Sequence, residues 1–236
     1  MSLYQFSDFN GPPNATVLVA LPGLGGTGLS FPEEAFDELH EAGVKVYFAD
    51  YGDHVESVSD MAMAIWTALT AVGVFTPVIL LGFSMGGFVA QTMYEQSPNR
   101  VKGIVFLSTT CFTLDDAVQT LLQDTSQHVK RGQQPLGAGR PPGMVSVEVY
   151  KRELSAVTQY ITANTCRFFS TVTVPVLSIY GAKDSVIAVK SMKKLRKLAK
   201  TVPFEEYVFV NGSHRLIYES PHKFGNIVTK WVSLHA

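Results

Sequence analysis

The sequence predicts an α/β fold with a mostly parallel central sheet flanked by helices. Short apolar runs rich in β-branched residues alternate with segments of helical periodicity, the order that crossover-connected strands produce. Several runs, such as Val78-Ile79-Leu80-Leu81, are apolar without a break, as strands covered on both faces are. One interruption stands out. About sixty residues between the runs ending at Ser108 and starting at Val174 carry no strong strand signal, far more than an ordinary connection.

The elements follow in order. Strands are expected over Thr16–Leu21, Val44–Asp50, Val78–Phe83, Val101–Ser108, Val174–Tyr180 and Phe204–Val210. Helices are expected over Glu33–Ala42, Val58–Ala71, Gly86–Gln96, Ser191–Lys200 and Lys223–Leu234. The interruption reads as helix over Leu114–Lys130 and Val145–Phe168, with a Gly- and Pro-rich loop, Gly132–Gly143, between them. A helical insertion after a sheet strand suits a lid. The expected organisation is therefore an α/β core over 1–111 and 171–236 with a small helical cap over 112–170. A crossover that merely grew is the plainer alternative.

Composition narrows the function classes. Of the 236 residues, 46% are hydrophobic and 17% charged, which describes an ordinary packed globule. A net charge of −1 supplies no field to recruit nucleic acid or anionic lipid. No apolar run reaches the roughly 18–20 residues that span a bilayer. The start, Met1-Ser2-Leu3-Tyr4-Gln5, lacks the basic and apolar parts of a signal peptide, and Cys111 and Cys166 read best as reduced thiols. The expectation is a cytoplasmic protein with a small-molecule substrate, no nucleic-acid partner and no stable membrane insertion.

Ser84 stands between glycines in Gly82-Phe83-Ser84-Met85-Gly86, just after an apolar run and just before a helical one. A turn this sharp crowds its neighbours, and glycines relieve the crowding. The hydroxyl then stands at the C-terminal edge of the sheet, where open α/β sheets carry their sites. The Met85 N–H, at the new helix terminus, is placed to stabilise an oxyanion there. A serine nucleophile needs a base, and the base an orienting acid. Asp184 follows a strand and the turn Gly181-Ala182-Lys183, and His214 follows a strand and the turn Asn211-Gly212-Ser213. Both would reach the edge that carries Ser84.

Rival residues exist. Asp115 and Asp116 could supply the acid, though capping a lid helix suits them better. His222 follows Pro221 and reads as the opening of the last helix. His40, His54, His128 and His235 read as solvated, and Asp50, Asp53 and His54 as a turn rather than a metal site. Lys190, Lys193, Lys194, Arg196, Lys197 and Lys200 form the outer face of one helix. Gly23-Leu24-Gly25-Gly26-Thr27-Gly28 also fits a dinucleotide-binding fingerprint, with Asp50 as the ribose acid. That motif needs a helix starting within the glycines. Pro32 instead suggests a start near Phe31 or Pro32 with Ser30 as cap, which leaves the glycines in a loop.

With these residues the chain resembles the α/β-hydrolase superfamily. The resemblance rests on Gly82-Phe83-Ser84-Met85-Gly86-Gly87, Gly181-Ala182-Lys183-Asp184, Gly212-Ser213-His214 and Pro22-Gly23-Leu24-Gly25-Gly26. Pro22-Gly23 departs from the family's usual His-Gly, and Phe83 from a common His. The resemblance implies a small-cap serine hydrolase, esterase- or enol-lactonase-like, with a Ser84–His214–Asp184 triad and no metal or organic cofactor. It also implies that Leu24 supplies a second oxyanion N–H. Phe83, Phe112 and Tyr150 are candidate substrate contacts. With Leu114, Leu121, Leu122, Leu154, Tyr160 and Phe168 the lid would favour an apolar substrate part, although such residues could equally pack the lid. A ligand-binding protein on a hydrolase scaffold and a dinucleotide-binding protein are the alternatives.

Overall fold

The structure is a computed structural model that describes residues 2–5, 12, 14–110, 143–163, 168–187, 189, 195 and 202–235. Among them, seven strands form one sheet: β1 (Ser2–Tyr4), β2 (Val17–Leu21), β3 (Lys45–Asp50), β4 (Val78–Phe83), β5 (Val101–Leu107), β6 (Val176–Gly181) and β7 (Phe204–Phe209). Their spatial order is β1-β3-β2-β4-β5-β6-β7. Every neighbouring pair is parallel except β1, which runs antiparallel to β3. The described helices are α1 (Asp37–Glu41), α2 (Val58–Ala71), α3 (Met85–Gln96), α4 (Val147–Ala163), α5 (Phe168–Thr171), α6 (Leu216–Glu219) and α7 (Pro221–His235).

Period-two alternation sorts each central strand into two cores. Val19 and Leu21 of β2, Val78 and Leu80 of β4, and Ile104 and Phe106 of β5 face one side. They meet Met61 and Ile65 of α2, Phe88 and Val89 of α3, and Val157 and Ile161 of α4. Leu18, Ala20, Ile79, Leu81, Phe83, Val105 and Leu107 face the other side, against Leu39 of α1 and Phe224, Val228 and Trp231 of α7. Each buried Val, Leu, Ile, Met or Phe among them contributes about 1.5–3 kcal/mol by leaving water. Both faces are thus dry, which is why the β4 run reads as apolar without a break.

The central strands lie where the sequence predicts them, with ends shifted by a residue or two. The expected Glu33–Ala42 helix is instead broken: a 3-10 turn over Glu33–Ala35 gives way to α1, with Phe36 at φ −119°, ψ −1° between them. Phe36 turns into an aromatic cluster, edge-on to Phe48 at 4.8 Å and close to Phe31 and Phe224. Packing here overrides helical continuity. Ser30 does not cap a helix; its hydroxyl donates to the Thr27 carbonyl at 2.6 Å. Short β1 and α6 carry too little pattern to be read from sequence. The expected helices over Leu114–Lys130 and Ser191–Lys200, Leu195 apart, lie outside the described residues, as do Cys111 and Cys166. No described helix is long and apolar enough to cross a membrane.

Candidate active site

Ser84 is the single residue between the end of β4 and the start of α3, and it adopts φ 52°, ψ −116°. A non-glycine residue there is strained by about 1–3 kcal/mol, so its surroundings must hold it. Its N–H donates to the Leu107 carbonyl at 2.9 Å, and its carbonyl accepts from the Gly87 N–H at 3.0 Å. The Thr109 hydroxyl donates to the same carbonyl at 2.6 Å. The flanking glycines are steric necessities. A Cβ at Gly82 would meet the backbone of Gly86 and Gly87, one at Gly86 the Leu21 carbonyl, and one at Gly87 the Thr109 side chain.

Asp184 follows β6 and His214 follows β7. The His214 Nε2 lies 3.0 Å from the Ser84 Oγ, and its Nδ1 lies 2.9 Å from the Asp184 Oδ2. The other Asp184 oxygen accepts from the N–H groups of Val186 and Ile187 at 2.8 and 2.9 Å. This fully buried carboxylate is therefore satisfied on both oxygens, while the imidazole keeps a little exposure. Phe83 stacks obliquely behind the imidazole, ring centroids 5.4 Å apart. The His214 turn is braced by Glu219, which accepts from the Ser213 N–H at 3.0 Å and from its hydroxyl.

The loop after β2 passes beside Ser84: a Cβ on Gly23 would stand 3.3 Å from the Ser84 Cβ. Leu24 lies in that loop, half-buried, and packs with Val145, Tyr150 and Leu154. Gly25, at φ 80°, has the Tyr150 ring where a side chain would go. Its N–H donates at 2.7 Å to Glu153, a carboxyl from α4 that is 1% exposed. Burial lifts the Glu153 pKa to about 8; the Gly25 N–H opposes the rise and the Asp50 charge adds to it. At neutral pH Glu153 is thus the neutral acid. The Tyr51 hydroxyl donates to the Pro22 carbonyl at 2.9 Å, and burial, Glu153 and Asp50 all raise its pKa.

The other sequence candidates fall elsewhere. His222 faces Glu38 of α1 at 3.4 Å. His235 stacks on Trp231 and is mostly covered rather than solvated. Asp50 accepts from the Gly52 N–H and the Tyr4 hydroxyl, as a turn residue does. No group of three or more potential metal ligands is gathered among the described residues. Phe168 packs with Tyr94, Phe106 and Phe169 and fills the core rather than a lid. The sequence candidates Phe112, Leu114, Asp115, Asp116, Leu121, Leu122 and His128 lie outside the described residues. Sequence reasoning missed Glu153 and Tyr51. The available signal was a carboxylate on an apolar stripe, Val149-Tyr150, Glu153-Leu154, Val157.

The family model described as the alpha/beta hydrolase fold matches residues 16–131. No curated protein matches the chain in sequence. Among solved structures, BpoC of Mycobacterium tuberculosis H37Rv, described as a candidate non-heme bromoperoxidase, is similar with TM-score 0.79 and 18% identity, over 100% of this chain and 98% of that one. A structure reported among carboxylesterases of the thaumarchaeon Nitrososphaera gargenis gives TM-score 0.75 and 16% identity, over 98% and 94%. A thermophilic esterase from Thermogutta terrifontis gives 0.74 and 15%, over 100% and 94%. At these identities the likeness is one of fold.

Proposed function

The chain has the α/β-hydrolase fold, and from that premise we propose that it is a serine hydrolase cleaving a carboxylic ester-type bond of a small, partly apolar substrate. The observation that carries the proposal is the row Ser84 Oγ, His214 Nε2 at 3.0 Å, and His214 Nδ1 to Asp184 Oδ2 at 2.9 Å. A buried carboxylate on Nδ1 favours the tautomer whose Nε2 lone pair faces the hydroxyl. His214 takes the Ser84 proton as the oxygen attacks the substrate carbonyl carbon. The imidazolium so formed is stabilised by Asp184. The N–H groups of Leu24 and Met85 donate to the tetrahedral oxyanion, a contribution worth about 10²–10³ in rate for each donor. His214 then protonates the leaving alcohol. Water, activated by the same base, releases the acid from Ser84.

In this reading the segment from 112 through α4 acts as a cap, with α4 lying over the Leu24 loop and Tyr150 among the groups near the substrate. The apolar surroundings of Leu24, Tyr150 and Leu154 support an apolar acyl or alcohol part. The test is a panel of nitrophenyl esters, thioesters and lactones run on the wild type and Ser84→Ala, with fluorophosphonate labelling of Ser84. Hydrolysis that survives unchanged in Ser84→Ala would end the proposal. A wild type that neither labels nor hydrolyses favours a ligand-binding protein on the same scaffold.

A further inference from the structure

The loop that carries Leu24 is pinned on both sides by buried side chains that the hydrolytic steps do not use. On one side the Tyr51 hydroxyl donates to the Pro22 carbonyl. On the other, the Glu153 Oε2 accepts from the Gly25 N–H at 2.7 Å, 128 residues away in sequence. Further bonds come from the chain leading into α4: the Val145 N–H donates to the Gly25 carbonyl at 3.0 Å and the Thr27 N–H to the Gly143 carbonyl at 2.6 Å. Each peptide turns as a rigid plane about its flanking φ and ψ. With the Pro22 carbonyl and Gly25 N–H both fixed, the peptide between Gly23 and Leu24 has little freedom left. Backbone bonds and Tyr51 belong to the core and its neighbouring segment. From α4, the Glu153 side chain reaches the loop by a hydrogen bond.

We infer that Glu153 is a positioning residue: it fixes the Gly25 peptide from α4 and so aims the neighbouring Leu24 N–H at the substrate carbonyl oxygen. The inference rests on the serine-hydrolase reading above. Its protonation state fits the role. The charge that acts on Glu153 is Asp50, at the end of β3, which opposes a second negative charge nearby; Tyr51, just after it, is held as the neutral phenol by its own burial and by Glu153 and Asp50. α2 and α3 meet α4 through apolar side chains, Phe88 against Tyr160 among them. With its pKa near 8, the neutral carboxyl accepts from Gly25 without setting an anion beside the developing oxyanion. A carboxylate there would oppose the oxyanion.

The experiment compares wild type, Glu153→Leu and Glu153→Gln. It measures kcat and KM for p-nitrophenyl butyrate from neutral to alkaline pH, and amide hydrogen exchange at Gly25 without substrate. Glu153→Leu is expected to lower kcat about 10²-fold, as loss of one oxyanion donor does, with KM little changed and Gly25 exchange faster. Glu153→Gln, an isostere of the neutral acid, should restore most of that kcat and remove the alkaline fall centred near the Glu153 pKa. A folded Leu variant with wild-type kcat, or one with Gly25 exchange unchanged, overturns the inference. So does a Gln variant that loses about 10²-fold in kcat relative to wild type, a criterion that stands even if Leu fails to fold. A wild type that takes up a fluorophosphonate yet is indifferent to Glu153 sinks this inference alone. A wild type with neither labelling nor turnover removes the serine-hydrolase reading and this inference with it.

Discussion

The Lys183 N–H donates to the Gly212 carbonyl at 2.9 Å, which ties the turn carrying Asp184 to the turn carrying His214. The Ala182 N–H adds a second tie, to the Phe209 carbonyl at 2.9 Å. The two turns are in backbone contact: a Cβ on Gly181 would collide with the Gly212 carbonyl. Gly181→Ala should therefore push the turns apart. We expect a loss of about 1–3 kcal/mol in urea denaturation and at least a tenfold fall in ester-hydrolysis kcat. Unchanged kcat in the folded variant would show that the contact does not set the Asp184–His214 spacing.

Asp184→Asn keeps an oxygen for the Val186 and Ile187 N–H groups but turns an amide N–H₂ toward His214 Nδ1. The imidazole must then present its Nε2 proton to Ser84. The expected result is a kcat for nitrophenyl esters lower by about 10⁴ with the fold retained by circular dichroism.

Ser84 bears backbone strain that only its surroundings sustain. Glycine reaches the same dihedrals without a clashing Cβ, whereas alanine does not. Ser84→Gly should melt above Ser84→Ala by the equivalent of about 1 kcal/mol, or roughly 2–4 °C for a chain of this size. Both variants should be inactive, so melting temperature alone is the readout.

Glu153 makes stability depend on pH with a definite sign. The folded chain holds its proton up to about pH 8, while the unfolded chain gives it up near 4.5. Between those values the folded state binds more protons, so the contribution is whole below pH 4.5 and is lost as pH rises through 8. The loss is on the order of a few kcal/mol. Glu153→Gln should remove that slope, so its advantage in urea denaturation over wild type should grow from acid to alkaline pH. Parallel curves for the two proteins would contradict the assignment.

Ser84, Asp184 and His214 could be read from the chain because each follows a strand with glycines close by, Ser84 directly and the other two after a short turn, and parallel strands end on a common edge. The glycines were legible for the same reason: backbone crowding leaves no alternative residue. Glu153 was not, because a carboxylate in a helical stripe normally signals solvent, and only the three-dimensional approach of the Gly25 N–H makes its burial tolerable. The break at Phe36 was equally hidden, since its cause is an aromatic cluster drawn from Phe31, Phe48 and Phe224. Phe168 misled in the opposite direction: its place in the chain suggested a lid, and its ring lies under the sheet's own Phe106.

β4 divides its side chains strictly by parity, Val78 and Leu80 to one core and Ile79, Leu81 and Phe83 to the other. The strand thus works as a counter as well as a scaffold. Because Ser84 comes directly after the last counted residue, inserting or deleting one residue within β4 would swap the two apolar sets and rotate the hydroxyl away from His214 at one stroke. Selection on the buried pattern of this strand and selection on the aim of its serine are therefore the same constraint, and no indel in β4 could relax one while sparing the other.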